Sequence, residues 1–419
     1  MTFAKMRRML YPLFAIAFFA VAAAPTCAVQ EWTLSFDAVG DSGPKVDPAG
    51  NIYALLLSPP DAVAVKKFDT SGRLLWTSAA LDNKGSAKLD IDAAGNAYVM
   101  MSDTEAVVTV KYDPFGRLLW RARSTPDANW HNRYAVLAVD RATGIVYVTT
   151  DTYKGFEEEG ALATIKYAAD GHQEWVMRYR PGAISVGLAS DETLVVAPDG
   201  GAVVLAGTDL PDAHVLLRYN AQGNLLWTHS EPMDVMGGGM DQLTVGADSA
   251  IYVRSWGGVS KYAATGELLW TAPCGHVKDF QVDLAGNVYC TFGRVTTEKY
   301  GPSGEFLWSA GYVVEAPGPT ALTLDATGNA YMTVFVQEEV VDPNMPNLPP
   351  GWLYRTVAIA TVKYDANGTQ QWLAIHDPPP VESSPTIEDV VVDAQGRVYV
   401  LGDGIIIKYA QVEYGQPGE

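Results

Sequence analysis

Val110–Trp120 reads VKYDPFGRLLW: an apolar run, Lys-Tyr, an Asp/Gly turn, then Leu-Leu-Trp. Taken singly it predicts a β-hairpin, because residues alternate before the turn and Gly116 supplies the freedom to reverse direction. Its second half recurs as FDTSGRLLW (Phe68–Trp76), YAADGHQEW (Tyr167–Trp175), YNAQGNLLW (Tyr219–Trp227), YAATGELLW (Tyr262–Trp270), YGPSGEFLW (Tyr300–Trp308) and YDANGTQQW (Tyr364–Trp372). A basic residue precedes each aromatic: Lys67, Lys111, Lys166, Arg218, Lys261, Lys299 and Lys363.

A second hairpin phrase precedes each copy. It reads VDPAGNIY (Val46–Tyr53), IDAAGNAY (Ile91–Tyr98), VDRATGIVY (Val139–Tyr147), VAPDGGAV (Val196–Val203) and VGADSAIY (Val245–Tyr252), and then VDLAGNVY (Val282–Tyr289), LDATGNAY (Leu324–Tyr331) and VDAQGRVY (Val392–Tyr399). That makes eight. After the eighth, Lys408-Tyr409 is followed by no Trp. The missing piece stands at the other end, where Trp32 precedes Trp76 by the same 44-residue step that separates Trp76 from Trp120. A ring accounts for this, since the N-terminal strand can complete the last sheet and remove an open edge. The expected fold is all-β: an eight-bladed β-propeller of four-stranded blades. The last blade, Thr386–Tyr409, is closed 3+1 by the strand around Trp32.

ATIKYAADGHQEW (Ala163–Trp175), ATVKYDANGTQQW (Ala360–Trp372) and VDLAGNVY resemble the SBBP-type β-propeller repeats of secreted bacterial proteins. The Gly-x-x-x-Trp ending, in so many copies, is similar to the tryptophan-docking repeats of quinoprotein-like (PQQ-like) propellers. The resemblance spans the mature chain. It implies a fold, and leaves function open, because such propellers include enzymes, assembly scaffolds and many uncharacterised exported proteins.

Residues 1–28 have the form of an export signal. Lys5, Arg7 and Arg8 precede an apolar core, Leu10 to Ala24, and Thr26-Cys27-Ala28 offers small residues for cleavage after Ala28. The core is short for a membrane span, so no transmembrane segment is expected. Pro25-Thr26 is a poor lipobox, which disfavours lipid anchoring at Cys27. The propeller is expected over 29–410, with a tail at 411–419, in the periplasm or outside the cell and as a monomer. Export permits a disulfide between Cys274 and Cys290, and the sequence leaves their pairing open. The formal charge of -19 argues against nucleic acid or an anionic membrane as main partner.

The repeated residues are read as structural. Trp32, Trp76, Trp120, Trp175, Trp227, Trp270, Trp308 and Trp372 are expected between adjacent blades. The turn glycines are expected at positive φ, the turn aspartates bonded to their own hairpins, and the basic heads near turn carboxylates.

Function should then lie where the repeat is interrupted. In a four-stranded blade the first and third turns share one face of the ring, and here both are short and regular. Long connections therefore gather on the opposite face: Ser124–Tyr134, Asp151–Gly160, Ser230–Asp241, Gln337–Arg355 and His376–Asp389. Three tryptophans lie outside the repeat, Trp130, Trp256 and Trp352, and all fall in segments assigned to that face. An exposed loop aromatic can stack on a sugar or fill a partner's pocket. Trp130, His131 and Arg133 form the most site-like cluster. His131, His276 and His376 could converge near the ring axis, with Asp127, Asp234, Asp241, Glu388 and Asp389 able to join them.

The chain contains no HExxH, GxSxG or P-loop and no adjacent cysteine pair. No catalytic residue, metal or cofactor is assigned. The leading expectation is an exported, non-catalytic propeller binding a protein or glycan through its loop-rich face. The alternatives are a quinoprotein-like oxidoreductase or propeller hydrolase/lyase, and an envelope assembly scaffold resembling the outer-membrane assembly propeller lipoprotein.

Overall fold

The computed structural model describes residues 26–413 except 36–42, 59–61, 156–158, 182–185, 189, 210–211, 233–241, 256, 276, 293–295, 312–315, 340–353, 378–386 and 403–404. It contains eight antiparallel sheets, one per repeat. In blades one to seven the four strands, a to d, follow chain order. Blade eight is ordered Thr26–Ser35, Ile405–Glu413, Val398–Gly402, Ile387–Val392, so the first strand of the chain supplies its outer edge.

Each sheet is covered on both faces by its neighbours, which is why the middle strands are apolar along their whole length. Ala97–Ser102 and Val107–Tyr112 of blade two are buried at every position. The outer strand Leu118–Ser124 is only half covered. The core is accordingly divided into eight hydrophobic clusters, one between each pair of blades. In the cluster that closes the ring, Tyr399, Leu401 and Ile406 of blade eight meet Ile52, Ala54 and Phe68 of blade one.

The repeated residues explain how blades dock. In all eight blades the basic residue of strand c lies opposite the tryptophan of strand d, from Lys67 opposite Trp76 to Lys408 opposite Trp32. In six of these blades both side chains then reach one carbonyl in the next blade's c–d turn. The indole N–H of Trp76 and the ammonium of Lys67 donate to Pro114 O at 2.9 and 3.3 Å. Trp32 and Lys408 do the same to Thr70 O across the closure, at 3.0 and 2.8 Å. The lysine head also lies over the strand-b tyrosine, as with Lys67 above Tyr53 at 4.7 Å. Basic heads thus meet a carbonyl and a ring as well as the expected turn carboxylate; Lys67 stands 3.9 Å from Asp47. Arg218 departs from this pattern and pairs bidentately with Asp199 at 2.6 Å.

The turns behave as the sequence predicts. Asp92 Oδ1 accepts from the backbone N–H of Ala94 and Asn96, closing the a–b turn of blade two. Gly171 adopts φ +90°, and a Cβ there would sit 2.5 Å from the Trp120 ring. Glycine is required both by the turn and by the indole lying on it.

Two details differ from the sequence reading, and a third decides a pairing it left open. The last strand continues through Glu413, so Gln411 belongs to blade eight and not to a tail beginning at 411. Strand a of blade four is broken into Val186–Gly187 and Leu194–Val196, separated by a 3₁₀ turn at Asp191–Thr193. Cys274 and Cys290 are bonded, and the bridge joins the end of blade five to strand b of blade six.

Candidate functional site

Strands a surround the central channel, and their inner edges carry backbone N–H groups without a ladder partner. Polar side chains of the preceding blade satisfy several of them. Val139 N–H donates to Asp90 Oδ2 at 3.1 Å, Phe280 N–H to Gln242 Oε1 at 3.2 Å, and Leu322 N–H to Asp279 Oδ2 at 2.7 Å. This gives a physical reason for carboxylates and amides on strands that are otherwise apolar.

The channel encloses a cavity of about 720 Å³. Its polar lining includes Lys45, Lys88, Asp90, Arg141, Glu192 and Gln242, drawn from five blades. Glu192 sits on the 3₁₀ turn that breaks blade four. That turn is capped by Ser190, whose hydroxyl accepts from Glu192 N–H at 3.1 Å, and Thr193 Oγ1 donates to Ser190 O at 2.7 Å. Glu192 is open to the channel yet enclosed by its walls. Enclosure pushes its carboxyl up to about 8, helped by the charges of Asp279 and Asp389 and opposed by Arg254 and Lys45. Burial likewise raises Asp279 and Asp389. Gln242 and the Leu322 N–H oppose the first shift, and Lys45, the Val390 N–H and Arg141 oppose the second.

At the loop-face rim of this channel, strand a of blade three begins with His131-Asn132-Arg133. The strand alternates, so His131 and Arg133 are exposed while Asn132 is buried. Asn132 ties the strand to blade two: its N–H donates to Thr104 O and its amide to Asp103 O, both at 3.1 Å. Tyr153 lies beside both exposed residues, 5.5 Å from the His131 ring and 5.2 Å from the Arg133 guanidinium. Asp151, buried one step below, accepts from Tyr134 N–H at 2.5 Å. Burial pushes its carboxyl up to about 6, with that hydrogen bond and Arg133 opposing. The Tyr134 ring in turn carries Lys88 at 5.2 Å, which links the rim to the cavity lining.

Trp130 does not present a free face. It is 8% exposed, with Arg180 over its ring at 5.0 Å. Asp127 receives Arg178 and Arg180 at 2.9 and 3.2 Å and its carbonyl accepts from Trp130 N–H. The indole therefore anchors its loop to the outer strand of blade three and holds the residues after it in place.

His376 also departs from the expectation of convergence. It ends the outer strand of blade seven and bonds Gln30 of the N-terminal strand at 2.8 Å, so it belongs to the seam between blades seven and eight. His131 lies on an inner strand, and the two do not meet. Trp256, His276 and Trp352 lie outside the described residues, as do Asp234 and Asp241. Glu192, Arg141 and Lys45 were not singled out by the sequence. At Lys45 the available signal was a charged residue one place before Val46, where five of the seven other repeats carry Ala, Val or Thr. Among the described residues no group of three or more His, Cys, Asp or Glu is arranged to hold a metal ion. No described helix is long and apolar enough to cross a membrane.

No family profile matches this chain, and no curated protein matches it. Solved structures do. The chain is similar to the C-terminal WD40 domain of Sif2, with 9% identity and a TM-score of 0.56 over 94% of this chain and 100% of that one. It is also similar to a streptogramin B lyase (10% identity, TM-score 0.46, 91% and 97% covered) and to the Dos1 propeller (10%, 0.44, 88% and 81%). At such identities the likeness concerns architecture alone. The chain is an eight-bladed β-propeller.

Proposed function

We propose that the protein is an exported, non-catalytic propeller, built from SBBP-type repeats, that binds a protein or glycan partner through the loop face of blades two and three. The observation that carries this reading is the patch of His131, Arg133 and Tyr153. Two exposed groups with hydrogen-bond donors flank an aromatic ring on a strand end that is locked from below. Such a patch loses little side-chain freedom on binding. The opposite face is committed to construction, since its turn carbonyls receive the indole and ammonium groups of neighbouring blades. The disulfide between Cys274 and Cys290 is consistent with an oxidising compartment, as export would provide.

Photo-crosslinking from inside the producing cell tests this. A photoreactive residue at position 133 should capture a discrete partner. The same residue at 115, where Phe115 is 76% exposed on the turn face, should capture none. Equal adducts from both positions would remove the assignment of the binding face.

A further inference from the structure

The central cavity holds charges that neither the docking of blades nor the loop-face patch uses. Lys45 of blade one, Arg141 of blade three and Glu192 of blade four all line it. Among the described residues none of the three side chains has an ion pair or hydrogen bond. The repeat lysines of the same ring contrast with them, because each has a carbonyl, a carboxylate or a ring as partner. Arg141 and Glu192 are exposed to the channel and Lys45 is half-buried, so their charged groups are open to a ligand of complementary charge.

The arrangement also constrains the ligand. Lys45 lies within electrostatic reach of Glu192 and Asp389, Arg141 of Asp389, and Arg254 of Glu192 and Asp279. The lining itself carries three basic residues, Lys45, Lys88 and Arg141, and three acidic ones, Asp90, Asp140 and Glu192, from blades one to four. Both signs line the cavity, so it favours a molecule that carries both. Glu192, whose carboxyl is pushed up to about 8, is protonated at neutral pH in the empty channel and ionises when an ammonium group meets it. The walls between the charges are partly apolar, with Leu194, Leu243 and Phe280 among them. A volume of about 720 Å³ lies in the range of small-ligand sites.

We propose that the channel binds a zwitterionic small molecule of the amino-acid or short-peptide class, its ammonium group directed to Glu192 and its carboxylate to Lys45 and Arg141. This goes beyond the loop-face reading and stands without it.

Calorimetric titration of the mature protein with triglycine, N-acetyltriglycine and triglycinamide tests the proposal. Triglycine should bind one to one. Capping either end should weaken binding by about tenfold or more, a loss of about 1.4 kcal/mol. Glu192→Gln and Lys45→Met should each weaken triglycine by a similar factor while thermal unfolding stays unchanged. Lys45→Met should spare triglycinamide, and Glu192→Gln should spare the acetylated probe. Arg133→Ala, on the rim, should leave all three titrations as they are. Equal affinity for the free and capped probes would overturn the proposal, as would no binding of triglycine at concentrations of about 1 mM, the weak end of specific affinity.

Discussion

Gln411 takes the place of a missing turn for Lys363. Its side-chain carbonyl accepts from the Lys363 ammonium at 2.7 Å and from the Trp372 indole at 3.5 Å. In the other blades a c–d turn carbonyl of the next blade receives the indole. Blade eight has no such turn, because its outer strand comes from the front of the chain. The amide of Gln411 donates to Tyr331 Oη at 3.1 Å and also to Gly396 O, so one side chain closes the seam between blades seven and eight.

Gln411→Ala should therefore destabilise the ring by about 1–3 kcal/mol, the cost of leaving Lys363 and its neighbours without partners in a largely buried place. Equilibrium denaturation of the variant against the wild type measures it. A loss within error of zero would show that water replaces the glutamine without penalty.

Asp151 makes stability depend on pH. Its carboxyl is pushed up to about 6 in the fold, against an unfolded value near 3.8, so the folded state holds the proton more tightly. Stability is then highest below the unfolded value and falls as pH rises toward about 6. The difference corresponds to roughly 3 kcal/mol at neutral pH. Asp151→Asn keeps an acceptor for the Tyr134 N–H and removes the titration. Denaturant midpoints at pH 4 and pH 7 should lie closer together in the variant than in the wild type; an unchanged gap would assign the slope to other groups, the channel carboxylates included.

The bridge between Cys274 and Cys290 closes a loop with a separation of 16 residues. A loop of that size contributes about 3 kcal/mol by restricting the unfolded chain. Cys274→Ala with Cys290→Ala should lower stability by that amount, and a reducing agent should do the same to the wild type while leaving the double variant unaffected. Insensitivity of the wild type to reduction would mean that the bridge is absent from the mature protein.

The ring was legible in the sequence because its parts are spaced in register. Trp76 lies opposite Lys67 for the same reason that Trp32 lies opposite Lys408, and repetition makes that relation visible without coordinates. The site was legible only in part. His131 and Arg133 could be placed on the loop face, but Trp130 beside them is consumed by Arg180, a residue 50 positions later that no repeat announces. His376 failed as a funnel residue because it ends a strand d, which lies at the outer rim of its blade. The channel charges come from different blades and from different places in them, Lys45 on an inner strand, Arg141 in an a–b turn and Glu192 on a 3₁₀ turn, and their meeting depends on ring closure, which no local pattern encodes.

The pairing of Thr26–Ser35 with Ile405–Glu413 also sets an order of events in time. A ribosome makes the closing strand first and its partner last. Until both strands are present and paired, the ring has an open edge and Trp32 has no Lys408 opposite it. A product that stops short of Ile405 therefore carries its own mark of incompleteness, an unpaired first strand.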